Sequence, residues 1–274
     1  MRVALCQMPV STQPAVNLSR VQSALTSARE QGSDLAVFPE ATHARFSVDL
    51  RAVAEPLDGP FCTGLSAAAS ASGVALAAGI FEQAPDSRVY NTTVAFDSAG
   101  RLVAAYRKIH LFDALGTRES ETIAPGSDPV VADLAGIKVG FLTCYDVRFP
   151  ELARELTVAG ADLLVIPAAW AAGLFKEEHW VTLVRARAIE NTVWVAAADQ
   201  VPDPHEPATS APTGVGRSLL VDPMGAVRLD LGSSAGVVAG GVDLEMTERV
   251  RTVLPSLQHR RPDVFARTHE TVSA

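Results

Sequence analysis

The feature that most constrains this chain is that it repeats itself. Residues 32–41 read GSDLAVFPEA and residues 160–169 read GADLLVIPAA. Further on, VALAAGI at 74–80 resembles VWVAAAD at 193–199, and the turn in VAFDSAGRLVAAY (94–106) resembles that in LLVDPMGAVRLDL (219–231), at nearly the same offset. Matching segments at a near-constant offset mark two copies of one design. They divide a single domain, residues 1–274, into halves of roughly 1–132 and 133–274, with a C-terminal tail from about residue 255.

Each half reads alike. A short apolar strand (Val3–Cys6; Val139–Leu142) leads to a helix (about 16–31; about 150–159), then to a buried strand (Leu35–Phe38; Leu163–Ile166). A second helix follows (61–72; 177–190), then β-rich runs joined by the turns Asp97-Ser98-Ala99-Gly100 and Asp222-Pro223-Met224-Gly225. In the helix 177–190, the spacing of Leu183, Ala186, Ala188 and Ile189 predicts the buried face, with Arg185, Arg187 and Glu190 making polar contacts elsewhere. Two mixed sheets, each with helices on one side, bury their bare faces against each other. The predicted fold is therefore α/β, a four-layer α-β-β-α sandwich with an internal pseudo-two-fold repeat. The Pro- and Gly-rich segment Pro202–Gly216 reads as a long surface loop.

Composition narrows the partners. The 23 basic and 31 acidic residues give a net charge of −8 with no basic run that could follow a phosphate backbone, which argues against nucleic acid. The cysteines, Cys6, Cys62 and Cys144, are too widely spaced for a disulfide framework or a CxxC site and read as reduced thiols. The N-terminus lacks the pattern of an export signal, and no segment approaches the ~20 apolar residues that span a bilayer. The expectation is a cytoplasmic protein that acts on neither membrane nor nucleic acid.

Where the two halves differ in chemical type, the mismatch is informative. Glu40 follows the strand LAVFP, where the second half places Ala168 after LLVIP. A carboxylate at the C-terminal end of a buried strand is costly unless paired, and such strand ends are where α/β proteins build sites; the alternative is a helix cap or surface residue. Cys144 ends VGFLT just before a proline-initiated helix. On residue type alone it reads either as an inert core thiol or as a nucleophile whose thiolate a helix N-terminus favours. Cys6 and Cys62 read as packing residues. Lys108 sits between Arg107 and the apolar Ile109, Leu111 and Phe112; it reads either as an ordinary solvated charge or, in this apolar setting, as one held inward by carboxylates. Glu119 and Glu121, in GTRESETIAPG, read either as such partners or as surface residues. Trp170 follows a strand end and reads as core or as cleft wall.

Other leads are weaker. Gly232-Ser233-Ser234-Ala235-Gly236 matches the G-x-S-x-G pattern but lies between strands rather than at a strand-turn-helix elbow, so it reads as a loop. No phosphate-binding glycine loop occurs, and the histidines lack H-x-x-x-H or H-E-x-x-H spacing. No cofactor and no metal is expected.

The blocks Phe38-Pro39-Glu40, Arg107-Lys108-Ile109-His110-Leu111-Phe112 and Cys144-Tyr145-Asp146-Val147-Arg148-Phe149-Pro150-Glu151 together resemble the carbon-nitrogen hydrolase (nitrilase) superfamily. The resemblance runs from Val3 to the segment Leu257-Gln258-His259-Arg260-Arg261-Pro262-Asp263. It implies the same sandwich, assembled as a homodimer or higher homo-oligomer, with Cys144 as nucleophile, Glu40 as general base and Lys108 as the cation that stabilises a tetrahedral intermediate. It also implies that Glu119 is a second glutamate positioning the site, with Glu121 two residues away as the competing assignment. The sequence after the cysteine is similar to the amidase branch that includes ω-amidases and deaminated-glutathione amidases, rather than to true nitrilases or N-carbamoyl-amino-acid hydrolases.

The implied partner is a small-molecule amide substrate bearing a carboxylate. Tyr145, Arg148 and Trp170 are the substrate-binding candidates, with Lys176 an alternative cation and Arg148 alternatively a structural partner of Asp146 or Glu151. An N-carbamoyl hydrolase, a nitrilase and a catalytically silent oligomeric binding protein are the competing readings. Pocket shape is expected to depend on the loops 42–49, 170–175 and 202–216.

Overall fold

A computed structural model describes residues 1–206 and 211–265. Part of the loop 202–216 and of the tail beginning near 255 therefore lies outside the described residues. In chain order the elements are β1 (Arg2–Gln7), α1 (Pro14–Glu30), β2 (Leu35–Val37), α2 (Leu50–Val53), α3 (Pro60–Ser72), β3 (Ala75–Gln83), β4 (Val89–Phe96), β5 (Leu102–Arg107), β6 (Val131–Leu134) and β7 (Ile137–Phe141). They continue with α4 (Pro150–Val158), β8 (Leu163–Ala168), α5 (Lys176–Asn191), β9 (Trp194–Asp199), β10 (Leu219–Val221), β11 (Val227–Asp230), β12 (Gly236–Gly241), α6 (Leu244–Val253) and α7 (Pro262–Phe265). Pro14, Pro60 and Pro150 each open a helix, where a missing N–H costs nothing.

Among the described residues two six-stranded sheets form, ordered β12-β1-β2-β3-β4-β5 and β6-β7-β8-β9-β10-β11. Their pairings match strand for strand: one antiparallel outer strand, then parallel pairings, then two antiparallel steps. The repeat seen in the sequence is thus a repeat of topology. The last strand, β12, closes the first sheet against β1, whereas β6, which spans the boundary at 132–133, belongs to the second.

The layer order follows from the two-residue alternation of side chains along a strand. Val3, Leu5, Leu35, Val37, Ala75 and Ala77 face inward, joining a core with Val139, Phe141 and Leu163 of the opposite sheet. The intervening Ala4, Cys6, Ala36, Phe38, Leu76 and Ala78 face outward and pack under α1 and α3 with Val21, Leu25 and Leu65. On the second sheet α4 and α5 cover the outer face through Leu152, Leu156, Trp180 and Val184. The result is the α-β-β-α sandwich.

The buried face of α5 departs from the expectation. Trp180, Val184, Arg187, Ala188 and Asn191 are buried, while Ile189 is exposed and Leu183 and Ala186 are only partly covered. Arg187 lies inward because its guanidinium finds acceptors there, the carbonyl of Val147 at 2.8 Å and the carboxylate of Glu190. Apolar periodicity cannot anticipate a buried arginine that takes one partner from its own helix and the other, the Val147 carbonyl, from a distant segment.

Candidate active site

Glu40 stands just beyond β2, on a loop held against β3. Ala41 adopts the left-handed region, with φ 53°. A Cβ on Gly79 would lie 2.4 Å from the Ala41 nitrogen and 2.7 Å from the Glu40 Cα, so only glycine lets β3 approach this turn. The carboxylate is buried and fully engaged. Oε1 accepts from Lys108 Nζ at 3.0 Å and from Asn91 Nδ2 at 2.7 Å, and Oε2 accepts from the Ala169 N–H at 2.8 Å. Gln200 Nε2 donates to the Glu40 carbonyl at 2.7 Å. Ala169 and Gln200 belong to the second half of the chain, so the residue that stood out as a mismatch of the repeat is clamped by the other copy.

Lys108 leaves β5 and turns inward. Its Nζ lies 2.9 Å from both oxygens of Glu119, which also accepts from the Phe112 N–H at 2.6 Å. Burial alone would lower the lysine pKa, but the charges of Glu119 and Glu40 outweigh it and hold the ammonium well above its ordinary range. Glu121 is exposed and lies 3.7 Å from Arg118. Asn91, on β4, donates to Glu40 and, at 3.3 Å, to Glu119, bridging the carboxylates. Sequence reasoning missed it, although an asparagine within the otherwise apolar and hydroxylic run VYNTTVAF is the signal that could have found it.

Cys144 begins a 3-10 turn, Cys144–Arg148, with its own φ at 47° in the left-handed region. A capping box formed by Thr143 and Asp146 fixes the turn. The buried Asp146 carboxylate also accepts from Tyr106 Oη at 2.6 Å and the His110 N–H at 2.9 Å, while His110 Nδ1 lies 2.7 Å away. Tyr106 and His110 flank Lys108 by two residues. One carboxylate therefore ties the cysteine turn to the lysine segment.

The thiol departs from the thiolate expected at a helix N-terminus. Burial, followed by the negative charge of Glu40, pushes the Cys144 pKa well above its ordinary value, against the opposing pull of Lys108 and the Ala169 N–H. The turn is a single 3-10 segment rather than the start of α4, so few aligned peptide dipoles point at the sulfur. Burial and Glu40 both disfavour the thiolate in the free enzyme. Cys6 and Cys62 are buried in the core under α1 and α3.

These groups open onto a cavity of about 540 Å³ lined by Glu40, Lys108, Glu119, Cys144, Tyr145 and Trp170, among others. Phe46, Ala171 and Pro212 bring in the three loops expected to shape it, and Thr117 and Arg118 add a fourth that the sequence reading did not assign to the pocket. Trp170 is both core and wall: 1% exposed, it lines the cavity while its N–H donates to Asp199 and its indole N–H to the Lys176 carbonyl. Burial raises the pKa of Asp199 to about 8, against the pull of backbone N–H donors from Trp170 and Val215. Arg148 does not line the cavity. Its guanidinium lies 4.8 Å from the Trp170 ring centre and 3.5 Å from His179 Nδ1, and among the described residues it forms no ion pair with Asp146 or Glu151. Lys176, at the start of α5, does line it.

Among the described residues no cluster of His, Cys, Asp or Glu is arranged to hold a metal ion, and no helix is long and apolar enough to cross a membrane.

A two-sheet sandwich whose strand ends gather a thiol, two carboxylates and an ammonium at one cavity defines the class of an α/β hydrolytic enzyme. The chain belongs to the carbon-nitrogen hydrolase family, whose profile matches residues 2–252, and it is an enzyme of carbon–nitrogen bond hydrolysis. It is 41% identical over 268 residues to a hydrolase of Mycobacterium tuberculosis, covering 95% of each chain. It is 37% identical to the deaminated glutathione amidase of Rattus norvegicus, covering 96% of this chain and 83% of that protein. Among solved structures, an amidase from Nesterenkonia sp. superposes with a TM-score of 0.81 at 26% identity, covering 97% of this chain and 95% of that one. A variant of that amidase shows the product of Michael addition of acrylamide at its active-site cysteine.

Proposed function

We propose that this enzyme hydrolyses a small carboxamide to a carboxylate and ammonia through a Cys144 thioester. The observation that carries the reading is the buried Glu40 carboxylate, hydrogen-bonded to Lys108 and lining the same cavity as the Cys144 thiol. An amide carbonyl is a weak electrophile, and a sulfur nucleophile divides its hydrolysis into two easier steps. Glu40 takes the thiol proton as sulfur attacks the carbonyl carbon, then passes that proton to the nitrogen as the C–N bond breaks and ammonia leaves. Water next attacks the thioester, Glu40 takes its proton, and collapse of the second intermediate breaks the C–S bond and restores the thiol.

Lys108 Nζ faces three acceptors, Glu40 Oε1 and both oxygens of Glu119, and to serve the developing oxyanion it redirects one of the two N–H groups that it shares with Glu119. The Tyr145 N–H, in the first turn of its 3-10 segment and so without an intrahelical acceptor, is the second donor. Losing one such donor typically costs ~2.7–4 kcal/mol of transition-state stabilisation. Glu119 holds Lys108 in place. Tyr145 and Trp170 form the wall against which the substrate lies, and Arg148 supports Trp170 from outside the cavity. The amidase names of the related proteins and the acrylamide adduct on the Nesterenkonia cysteine support this reading. It includes a cytoplasmic homo-oligomer, which light scattering and fractionation test.

The deciding experiment measures ammonia release from a panel of ω-amides, nitriles and N-carbamoyl amino acids, with Cys144→Ala as control. Turnover of amides that disappears in a folded Cys144→Ala variant, with an acyl adduct on Cys144 in the mass spectrum of the wild type, is the expected result. Activity confined to nitriles, or retained without the thiol, overturns the proposal.

A further inference from the structure

The end of β8 leaves its sheet between two carboxylates. Up to Ala168 the strand pairs in parallel with β9, and the Gln200 N–H reaches the Ala168 carbonyl at 3.2 Å. The Gln200 carbonyl, where the next N–H of a parallel ladder would dock, is taken instead by the Gly216 N–H at 2.9 Å. Two consecutive N–H groups, those of Ala169 and Trp170, turn to side chains. Ala169 donates to Glu40 Oε2 and Trp170 to Asp199 Oδ1, both at 2.8 Å. Asp199 Oδ2 accepts from the Val215 N–H, also at 2.8 Å, and this one side chain ties the strand end to the loop that precedes β10. In the repeat, Ile80 stands where Asp199 does, so both acids that hold this strand end are exceptions to the duplicated design. Asp199 is fully buried and forms no ion pair among the described residues; such a group is costly unless its oxygens are occupied.

The occupancy of Glu40 is uneven. Oε1 accepts from Lys108 and Asn91, whereas Oε2 accepts only from Ala169 among the described residues. A carboxylate oxygen has two lone-pair sites, which leaves the open one on Oε2. A hydrogen bond from the same Ala169 N–H favours the Cys144 thiolate. One peptide N–H thus faces both groups between which the thiol proton moves. We propose that Asp199 is a positioning residue for this transfer: by holding the Trp170 peptide it keeps the Ala169 N–H at the junction, so that the proton passes from sulfur to Glu40 Oε2 while the N–H turns from Oε2 to the sulfur. This rests on the amidase reading above and deepens it. The S–H bond breaks, the O–H bond forms, and the Ala169 hydrogen stays on its nitrogen. The donor that stabilised the carboxylate then stabilises the thiolate that replaces it. A donor that changes partner needs a backbone fixed from outside the pair, and Asp199, which among the described residues hydrogen-bonds to neither Glu40 nor Cys144, supplies the fixed point.

The test follows alkylation of Cys144 by iodoacetamide, read by mass spectrometry across a range of pH, in the wild type, Asp199→Ala, Asp199→Asn and Ser218→Ala. Alkylation needs a thiolate but no amide turnover. In Asp199→Ala the rate at neutral pH should fall about tenfold or more, as for a lost hydrogen bond to a charged group, with the profile displaced to higher pH. Asp199→Asn, which keeps one of the two acceptors, should lose less. Ser218→Ala removes the hydroxyl that accepts from the Asp199 N–H but leaves the carboxylate in place; it should lower the melting temperature and keep the wild-type profile. The kcat for amides should fall in the same order as alkylation. An unchanged rate in a folded Asp199→Ala, or an equal loss in Ser218→Ala, overturns the assignment. If Asp199→Ala does not fold, Asp199→Asn at the wild-type rate overturns it. A wild type that releases no ammonia from any amide, while alkylation still slows in Asp199→Ala, supports the positioning role and overturns the amidase reading.

Discussion

Glu40 and Lys108 lie 68 residues apart in the chain and meet at 3.0 Å, both essentially buried. Their contact forces opposite consequences on the neighbouring thiol. The carboxylate raises the Cys144 pKa and the ammonium lowers it, with burial the largest influence upward. Glu40→Gln should therefore separate acidity from catalysis. Turnover should fall on the order of 10²–10⁴-fold, the usual worth of a general base. Yet the Cys144 thiolate, followed by its ultraviolet absorbance against pH, should form at lower pH than in the wild type. A thiolate midpoint that rises or stays fixed contradicts the assigned electrostatics.

Gly79 sets the position of the base. A Cβ there meets backbone atoms of Glu40 and Ala41 rather than a flexible side chain, so the loop itself must move. Gly79→Ala should destabilise the fold by about 1–3 kcal/mol, as over-packing does, and reduce kcat beyond what lost stability explains. Gly236→Ala, where a Cβ meets nothing within 4 Å, is the control. Melting curves and turnover on both variants check the contrast.

Tyr106 donates to Asp146 and accepts from the Ile109 N–H at 3.3 Å, so it braces both the cysteine turn and the lysine segment. Tyr106→Phe removes the 2.6 Å hydrogen bond and leaves a buried carboxylate short of one donor, at an expected cost of about 1–3 kcal/mol. Because Asp146 anchors the Cys144 turn, kcat should drop while KM changes little. A double-mutant cycle with Asp146→Asn should be strongly non-additive, since both substitutions disrupt one network. Additive losses count against a shared network.

His43 supplies the pH dependence of stability that is simplest to read. It is buried between Phe61 and Phe81, and burial lowers its pKa from 6.5 to about 4. Between these values the unfolded chain holds a proton that the folded protein does not. The contribution of His43 is thus fully present above pH 6.5 and is lost as pH falls toward 4, with a slope of at most ~1.4 kcal/mol per pH unit. Urea unfolding across this range should show a shallower acid loss in His43→Gln than in the wild type. Equal slopes rule His43 out as the source.

Much of this was legible in the chain. The repeat of GSDLAVFPEA in GADLLVIPAA announced matched strands, and the mismatch at Glu40 marked the end of one of them. Lys108 among apolar neighbours posed a choice between a solvated charge and one held inward by carboxylates, and Glu119 and Glu40 hold it inward. Three things were not legible. The inward turn of Arg187 on α5 depends on a carbonyl at Val147, reached only after folding. The raised pKa of Cys144 depends on burial and on Glu40, which the sequence separates widely from it. The relation of Arg148 to Lys176 depends on which side of Trp170 faces the cavity.

By itself, then, the sequence determined what is carried by local pattern and by comparison of one half with the other: the strands, the layered α/β sandwich, and the residue types able to act. Alternation and helical spacing are short-range properties, and a duplicated chain displays its own exceptions. Tertiary structure alone decided protonation and pairing. Those are set by burial and by charges a few ångströms apart in space, and the sheet packing that brings Ala169 to Glu40 and Asp146 to Tyr106 joins segments between which no periodicity runs.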